Sequence, residues 1–205
     1  GIWEYRVTLA GRDVGRMERR LEPASEDGAW MRSSSVLSVA GMRQEVTVEF
    51  RSHDLSLRDS SVLVEGDEGS EVTLLSAGGG RLRGVRRALD GTSELPVAGD
   101  LPSFSLAGDL LELALWGMDL EPGDRLDVPF VDLGSGTVSR ALVEALGEAV
   151  ITVPAGTFST RVVEVVAASV RQRFFLLQDA PGATVAVEVA GRSIRMELLS
   201  GSGVR

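Results

Sequence analysis

The chain contains no cysteine. That absence removes disulfides, thiolate nucleophiles and every cysteine-based zinc or iron–sulfur site. Lysine is missing as well, since all 21 basic residues are arginine. Schiff-base chemistry and a P-loop lysine are therefore excluded. A single histidine, His53, rules out a histidine-rich metal site. Aromatic residues make up only 5% of the chain, with three Trp and one Tyr, so a core must rest on Val, Leu, Ala and Ile. The sugar-stacking platforms that usually accompany paired-carboxylate glycosidases are correspondingly sparse. No apolar run is long enough to span a bilayer: the longest, Leu106 to Met118, is broken by Asp109 and Glu112. The opening residues show no charged leader, and this decides nothing about export.

What is present is an acidic, amply hydrophobic chain. Its 205 residues carry a formal charge of -9, with 43% hydrophobic residues. Such a surface repels phosphate backbones and anionic membranes, so nucleic acid is a poor partner. The length suits one large all-β unit.

Side-chain alternation dominates. Trp3, Tyr5, Val7 and Leu9 share one face, with Glu4, Arg6 and Thr8 on the other, the period of a half-buried strand. Ala10-Gly11-Arg12-Asp13 is turn chemistry before a returning strand from Val14 to Leu21. A second hairpin spans Ala29–Val39 and Arg43–Arg51, with Val46, Val48 and Phe50 opposed to Glu45, Thr47 and Glu49. Further strands are expected at Leu55–Val64, Glu71–Leu75 and Arg81–Leu89, and later at Arg125–Leu133, Thr137–Val153, Phe158–Ser169, Arg171–Leu177, Thr184–Ala190 and Ser193–Leu199. Gly147 is a natural place for the longest of these to bend.

Between the two series the period changes. Leu106, Leu110, Leu113, Ala114 and Met118 recur at helical spacing, Ser103 or Ser105 supplies an N-cap, and Glu121-Pro122-Gly123 a stop. Leu111, Leu115 and Trp116 make this helix apolar on most sides, as for an enclosed helix. The expectation is mostly β: a strongly curved antiparallel sheet, a half-barrel or open barrel, wrapped around one central α-helix at about 103–120. Residues 1–200 form one domain and 201–205 a flexible tail.

The polar candidates for chemistry are weak. His53 sits in Arg51-Ser52-His53-Asp54, a turn, with no nucleophile elbow to support a triad. Glu65, Asp67, Glu68 and Glu71 cluster without EF-hand spacing and read as a solvated hairpin tip; Asp119, Glu121, Asp124 and Asp127 read the same way. Gly78-Gly79-Gly80 has neither the following lysine nor a helix N-terminus to hold phosphate. Arg81, Arg83, Arg86 and Arg87 read as a charged strand edge. No catalytic residue, metal or cofactor is assigned. The apolar candidates are Trp3, Trp30, Phe104, Leu110 and Trp116, which either close the core or line a pocket for an apolar ligand.

Three stretches carry a family likeness: Trp3-Glu4-Tyr5-Arg6-Val7 with Gly11 and Val14-Gly15; Leu120-Glu121-Pro122-Gly123-Asp124 with Val153-Pro154-Ala155-Gly156-Thr157-Phe158; and the closing Arg195-Met196-Glu197-Leu198-Leu199-Ser200. In that order they resemble a family of exported bacterial half-barrel proteins, some of which precede a transglutaminase-like domain. The resemblance spans most of the chain. It implies a curved sheet around a helix, an extracytoplasmic (periplasmic, secreted or cell-surface) location, and a distant likeness to periplasmic lipoprotein carriers. It transfers no catalytic residue, and the Cys of a transglutaminase-like centre is absent here.

The functional expectation is a non-enzymatic module binding a lipid, lipopeptide or other apolar small molecule. The alternative is a filled-core scaffold that engages an envelope protein through its edges. A hydrolase is the third class.

Overall fold

The computed structural model describes residues 1–67, 69–168, 170–178 and 183–202. The chain is mostly β, as expected, with one short α-helix. The strands are β1 (Ile2–Leu9), β2 (Arg12–Pro23), β3 (Trp30–Val39), β4 (Met42–Arg51), β5 (Leu57–Gly66), β6 (Gly69–Gly78), β7 (Arg81–Ala88) and β8 (Glu94–Asp100). After β9 (Leu106–Ala107) come the helix α1 (Leu111–Gly117), β10 (Arg125–Asp132), β11 (Thr137–Val153), β12 (Gly156–Ala167), β13 (Val170–Leu177), β14 (Thr184–Val189) and β15 (Ile194–Gly201). Backbone hydrogen bonds join them into one open sheet in the order β8-β7-β6-β5-β4-β3-β2-β1-β15-β14-β13-β12-β11-β10-β9. Every ladder described below is antiparallel except β9–β10, a short parallel pairing of Leu106 with Phe130 and Ala107 with Val131. No helix among the described residues is long and apolar enough to cross a membrane.

The chain contacts itself in two compact units. One comprises Gly1–Glu18, Leu111–Val128 and Arg140–Arg205; the other comprises Arg19–Leu110 and Pro129–Ser139.

In the first unit alternation sets an apolar face against one on which ions lie beside the buried Val162, Phe175 and Ala186. Tyr5, Val7, Val163, Val165, Phe174, Val187 and Leu198 are buried on the apolar face. The opposite face carries a row of ions in cross-strand register, the arrangement that stabilises adjacent strands. Glu164 pairs with Arg173, Arg173 with Glu188, Glu188 with Arg195, and Glu197 with Arg6. The fork of arginine lets one residue serve two carboxylates. Arg173 lies 3.3 Å from Glu164 and 4.0 Å from Glu188; Arg195 reaches Glu188 at 2.8 Å and Glu197 at 3.0 Å. The β14–β15 ladder ends at Ala186 and Glu197. Just beyond, the Leu198 carbonyl accepts the Ala155 N–H at 3.1 Å. The tip of the β11–β12 hairpin thus clasps β15, although β13 and β14 lie between them in hydrogen-bond order.

The second unit holds the meander β3 to β8. Val46, Val48, Phe50, Val62, Val72, Leu75 and Leu82 form its buried set. Ser33 and Ser35 are buried among them, in register with Val48 and Val46. Their hydroxyls donate to the Asp109 carboxylate at 3.4 and 3.2 Å.

The segment expected as one helix over 103–120 is divided. Leu106–Ala107 is strand, Gly108–Leu110 is a 3₁₀ turn, and only Leu111–Gly117 is α-helical. Gly108 is a poor helix residue. The Asp109 carbonyl accepts from Arg19 at 2.8 Å, while its carboxylate is held by the two serines. β8 is a further strand, in a stretch whose mixed Pro, Gly and acidic residues gave no alternation. Of the expected tail, Gly201 ends β15 and the Ser202 N–H donates to the Ile2 carbonyl at 2.9 Å. Residues 203–205 lie outside the described residues.

Candidate functional site

A concavity of the first unit lies at the C-terminal end of α1. The helix buries Leu111, Ala114 and Leu115. Thr184 donates a 2.9 Å hydrogen bond to the carboxylate of Glu112, which is also buried. A helix end leaves carbonyls without intrahelical donors, and Arg161 on β12 supplies them. Its guanidinium donates to the carbonyls of Leu115 at 2.6 Å, Trp116 at 3.2 Å and Met118 at 2.8 Å. A cation is electrostatically favoured at this helix end. The Trp116 indole is anchored by its own N–H, which donates to the Leu177 carbonyl at 3.2 Å.

These fixed groups border a half-open cleft of about 220 Å³. Trp116, Leu120, Pro122, Leu176 and Leu177 supply apolar walls, and Glu148, Arg161 and Gln178 the polar rim. Gln178 donates to Glu148 at 2.7 Å. Gly147 forms the floor edge at a register shift: Ala145 opposes Val163 and Gly147 opposes Val162, leaving Leu146 as the extra residue of a β-bulge. Gly147 takes φ of 110°, which side-chain-bearing residues rarely adopt.

Of the five apolar residues singled out from sequence, Trp116 alone lines this cleft. Trp3 belongs to the same unit but is 6% exposed, packed against Gly201, its register partner. Its indole N–H has no hydrogen-bond partner among the described residues. Trp30, Phe104 and Leu110 lie in the second unit. Trp30 is half-buried, with the guanidinium carbons of Arg51 and Arg58 5.2 and 5.1 Å from its ring centre, a cation–π arrangement. Phe104 is 51% exposed and Leu110 is buried. Arg161 carries a sequence signal of its own: it shares strand parity with Val163 and Val165, a charge on an apolar face.

The polar candidates resolve simply. His53 is exposed in a turn, 3.4 Å from Asp54. The arginines at 81–87 are not at a strand edge as expected, because β7 pairs with β6 on one side and β8 on the other; Arg86 is paired with Glu71 at 2.6 Å. No group of three or more His, Asp or Glu that could hold a metal ion occurs among the described residues. In the acidic cluster at 65–71, Glu68 lies outside the described residues. A shallow depression in the second unit, bordered by Arg32, Glu49, Asp59 and Arg83, opens widely to solvent; two of its charges, Arg32 and Glu49, are paired at 2.6 Å.

No protein-family model and no curated protein sequence matches this chain. Among solved structures it is similar to a DUF1089 family protein from Pseudomonas aeruginosa, at 16% identity over 89% of this chain and 92% of that one, with a TM-score of 0.43.

Proposed function

We propose that this chain is a non-enzymatic, extracytoplasmic binding module that accepts a small apolar group in the cleft beside Trp116. The observation that carries the reading is the construction of that cleft. Its apolar walls surround an indole fixed by a hydrogen bond, and the adjacent cation is already committed to three carbonyls. Pockets for drug-sized ligands occupy roughly 300–1,000 Å³. A cleft of about 220 Å³ suits a short acyl segment or one large side chain rather than a whole lipid. The extracytoplasmic placement and the half-barrel curvature of the proposal rest on the family likeness of the three sequence stretches.

The direct test is methyl and indole NMR with 1-hexanol as the probe. Saturable shifts at Leu120, Leu176 and the Trp116 indole are expected, and they should vanish in Trp116→Ala and weaken in Leu120→Asp. Shifts scattered over the surface, or untouched by Trp116→Ala, would end the proposal. Fractionation of cells producing the full-length protein tests the location, and recovery in the cytosol would overturn it.

A second reading, a scaffold with a filled interior, draws on Leu115 and Val163, whose exposure is 0%. It expects no saturable shift with any apolar probe.

A further inference from the structure

We infer that the apolar group entering the cleft is a side chain of an extended, basic peptide that adds as a strand to the outer edge of β11. This deepens the binding reading above and rests on it.

The strand lengths carry the first part. β11 has 17 residues and its hairpin partner β10 only 8. Pairing on that side ends where Gly123 donates to the Ala145 carbonyl at 2.8 Å and Ala145 donates to the Asp124 carbonyl at 3.0 Å. Pro122, with no N–H to offer, follows beside Gly147. From Gly147 to Val153 no strand among the described residues pairs with the outer side of β11, while β12 pairs with its inner side. A row of unpaired backbone donors and acceptors is a template for another chain.

Side-chain geometry carries the second part. Glu148, Val150 and Thr152 share one face by alternation. Glu148 opposes Arg161 in register, and both border the cleft. A strand laid along this edge directs every second side chain to that same face, next to Trp116. Val150 is 71% exposed there, an apolar contact for the incoming residue after the anchor.

Charge selects the occupant. Asp119, Glu121 and Asp124 are exposed on the loop that forms one side of the cleft, and Glu148 stands on the other. The neighbouring cations are spent: Arg161 on carbonyls and Arg125 on Glu144 at 2.8 Å. The net charge of the chain is -9. An arginine- or lysine-bearing segment is therefore favoured over an acidic one.

The test uses the full chain and the end-blocked peptide Arg-Thr-Phe-Thr-Val-Thr-Arg, alongside a version N-methylated at alternate amides. Expected are amide shifts over residues 147–153 with a shift of the Trp116 indole. N-methylation should weaken binding by about tenfold, through loss of the inter-strand hydrogen bonds. Equal binding of both peptides would overturn strand addition, reducing the effect to charge attraction. Silence with the peptide while 1-hexanol still shifts the Trp116 indole would overturn this inference and spare the small-ligand reading. Silence with both probes removes the two together.

Discussion

The indole of Trp3 on β1 packs against the backbone of Gly201, its register partner on β15, so closely that a Cβ at position 201 would overlap Trp3 Cδ1. The ring covers a position that has no side chain of its own, a known way of securing glycine in a sheet. Gly201→Ala is therefore expected to destabilise the chain by about 1–3 kcal/mol through overpacking. Urea unfolding reads this as a lower midpoint with an unchanged slope.

Gly84 on β7 is more constrained. A Cβ there would overlap the Leu74 carbonyl oxygen and crowd Leu75 Cδ2. Backbone yields less readily than a ring, so Gly84→Ala should cost more than Gly201→Ala. Gly78→Ala, with open space around the added methyl, serves as the control. A Gly84 variant no less stable than that control would refute the contact.

Arg161→Lys keeps the positive charge and loses the fork that spans three carbonyls. Hydrogen bonds to charged groups contribute about 1.5–3 kcal/mol, and a loss of about 2 kcal/mol is expected. Trp116 fluorescence should also change, because the helix end that carries it is no longer held. Denaturation curves recorded by far-UV circular dichroism and by fluorescence check both statements.

The ionic row makes a smaller demand. Arg173 is well exposed, so Arg173→Lys should cost about 0.5 kcal/mol. The gap between wild type and variant should narrow in high salt as the pairs are screened. A loss above about 2 kcal/mol, or one insensitive to salt, would show that the row is more than a set of screened pairs.

Three turns of the second unit give stability a pH dependence. The Ser25 hydroxyl and then the Ala29 N–H lower the pKa of Asp27; hydrogen bonds from Ser56 do so for Asp54, and those from Thr92 for Asp90. A carboxyl with a folded-state pKa below its unfolded value contributes stability that is complete above the unfolded pKa, about 3.9, and is lost as pH falls through the folded value. Stability should decline below about pH 4. The combined Asp27→Asn, Asp54→Asn, Asp90→Asn variant should decline less steeply. Identical acid slopes would exclude these turns as contributors.

Much of the meander was legible because its residues alternate between a buried and a more exposed face. Val46, Val48 and Phe50 are buried as their spacing requires, and Gly41, after Ala40, takes the positive φ that its hairpin turn needs. The helix boundaries were not legible: Leu106 and Leu110 are buried at helical spacing, yet one lies in a strand and the other in a 3₁₀ turn. Periodicity reports burial, and a short apolar run is buried in any of these conformations. β8 was hidden by Pro96 and Gly99, which interrupt an apolar set. Trp116 was identifiable as a large apolar residue of the expected helix. The cleft walls were not, since Leu176 and Glu148 meet it only through cross-strand register and the bulge at Gly147.

The pairing of β1 with β15 has a temporal consequence. During synthesis the second unit gains most of its strands from consecutive sequence, whereas one side of β1 stays bare until β15 leaves the ribosome. Nascent chains halted before Ile194 would thus display Trp3, Tyr5 and Val7 on an open ladder, the kind of surface on which chaperones and aggregation compete.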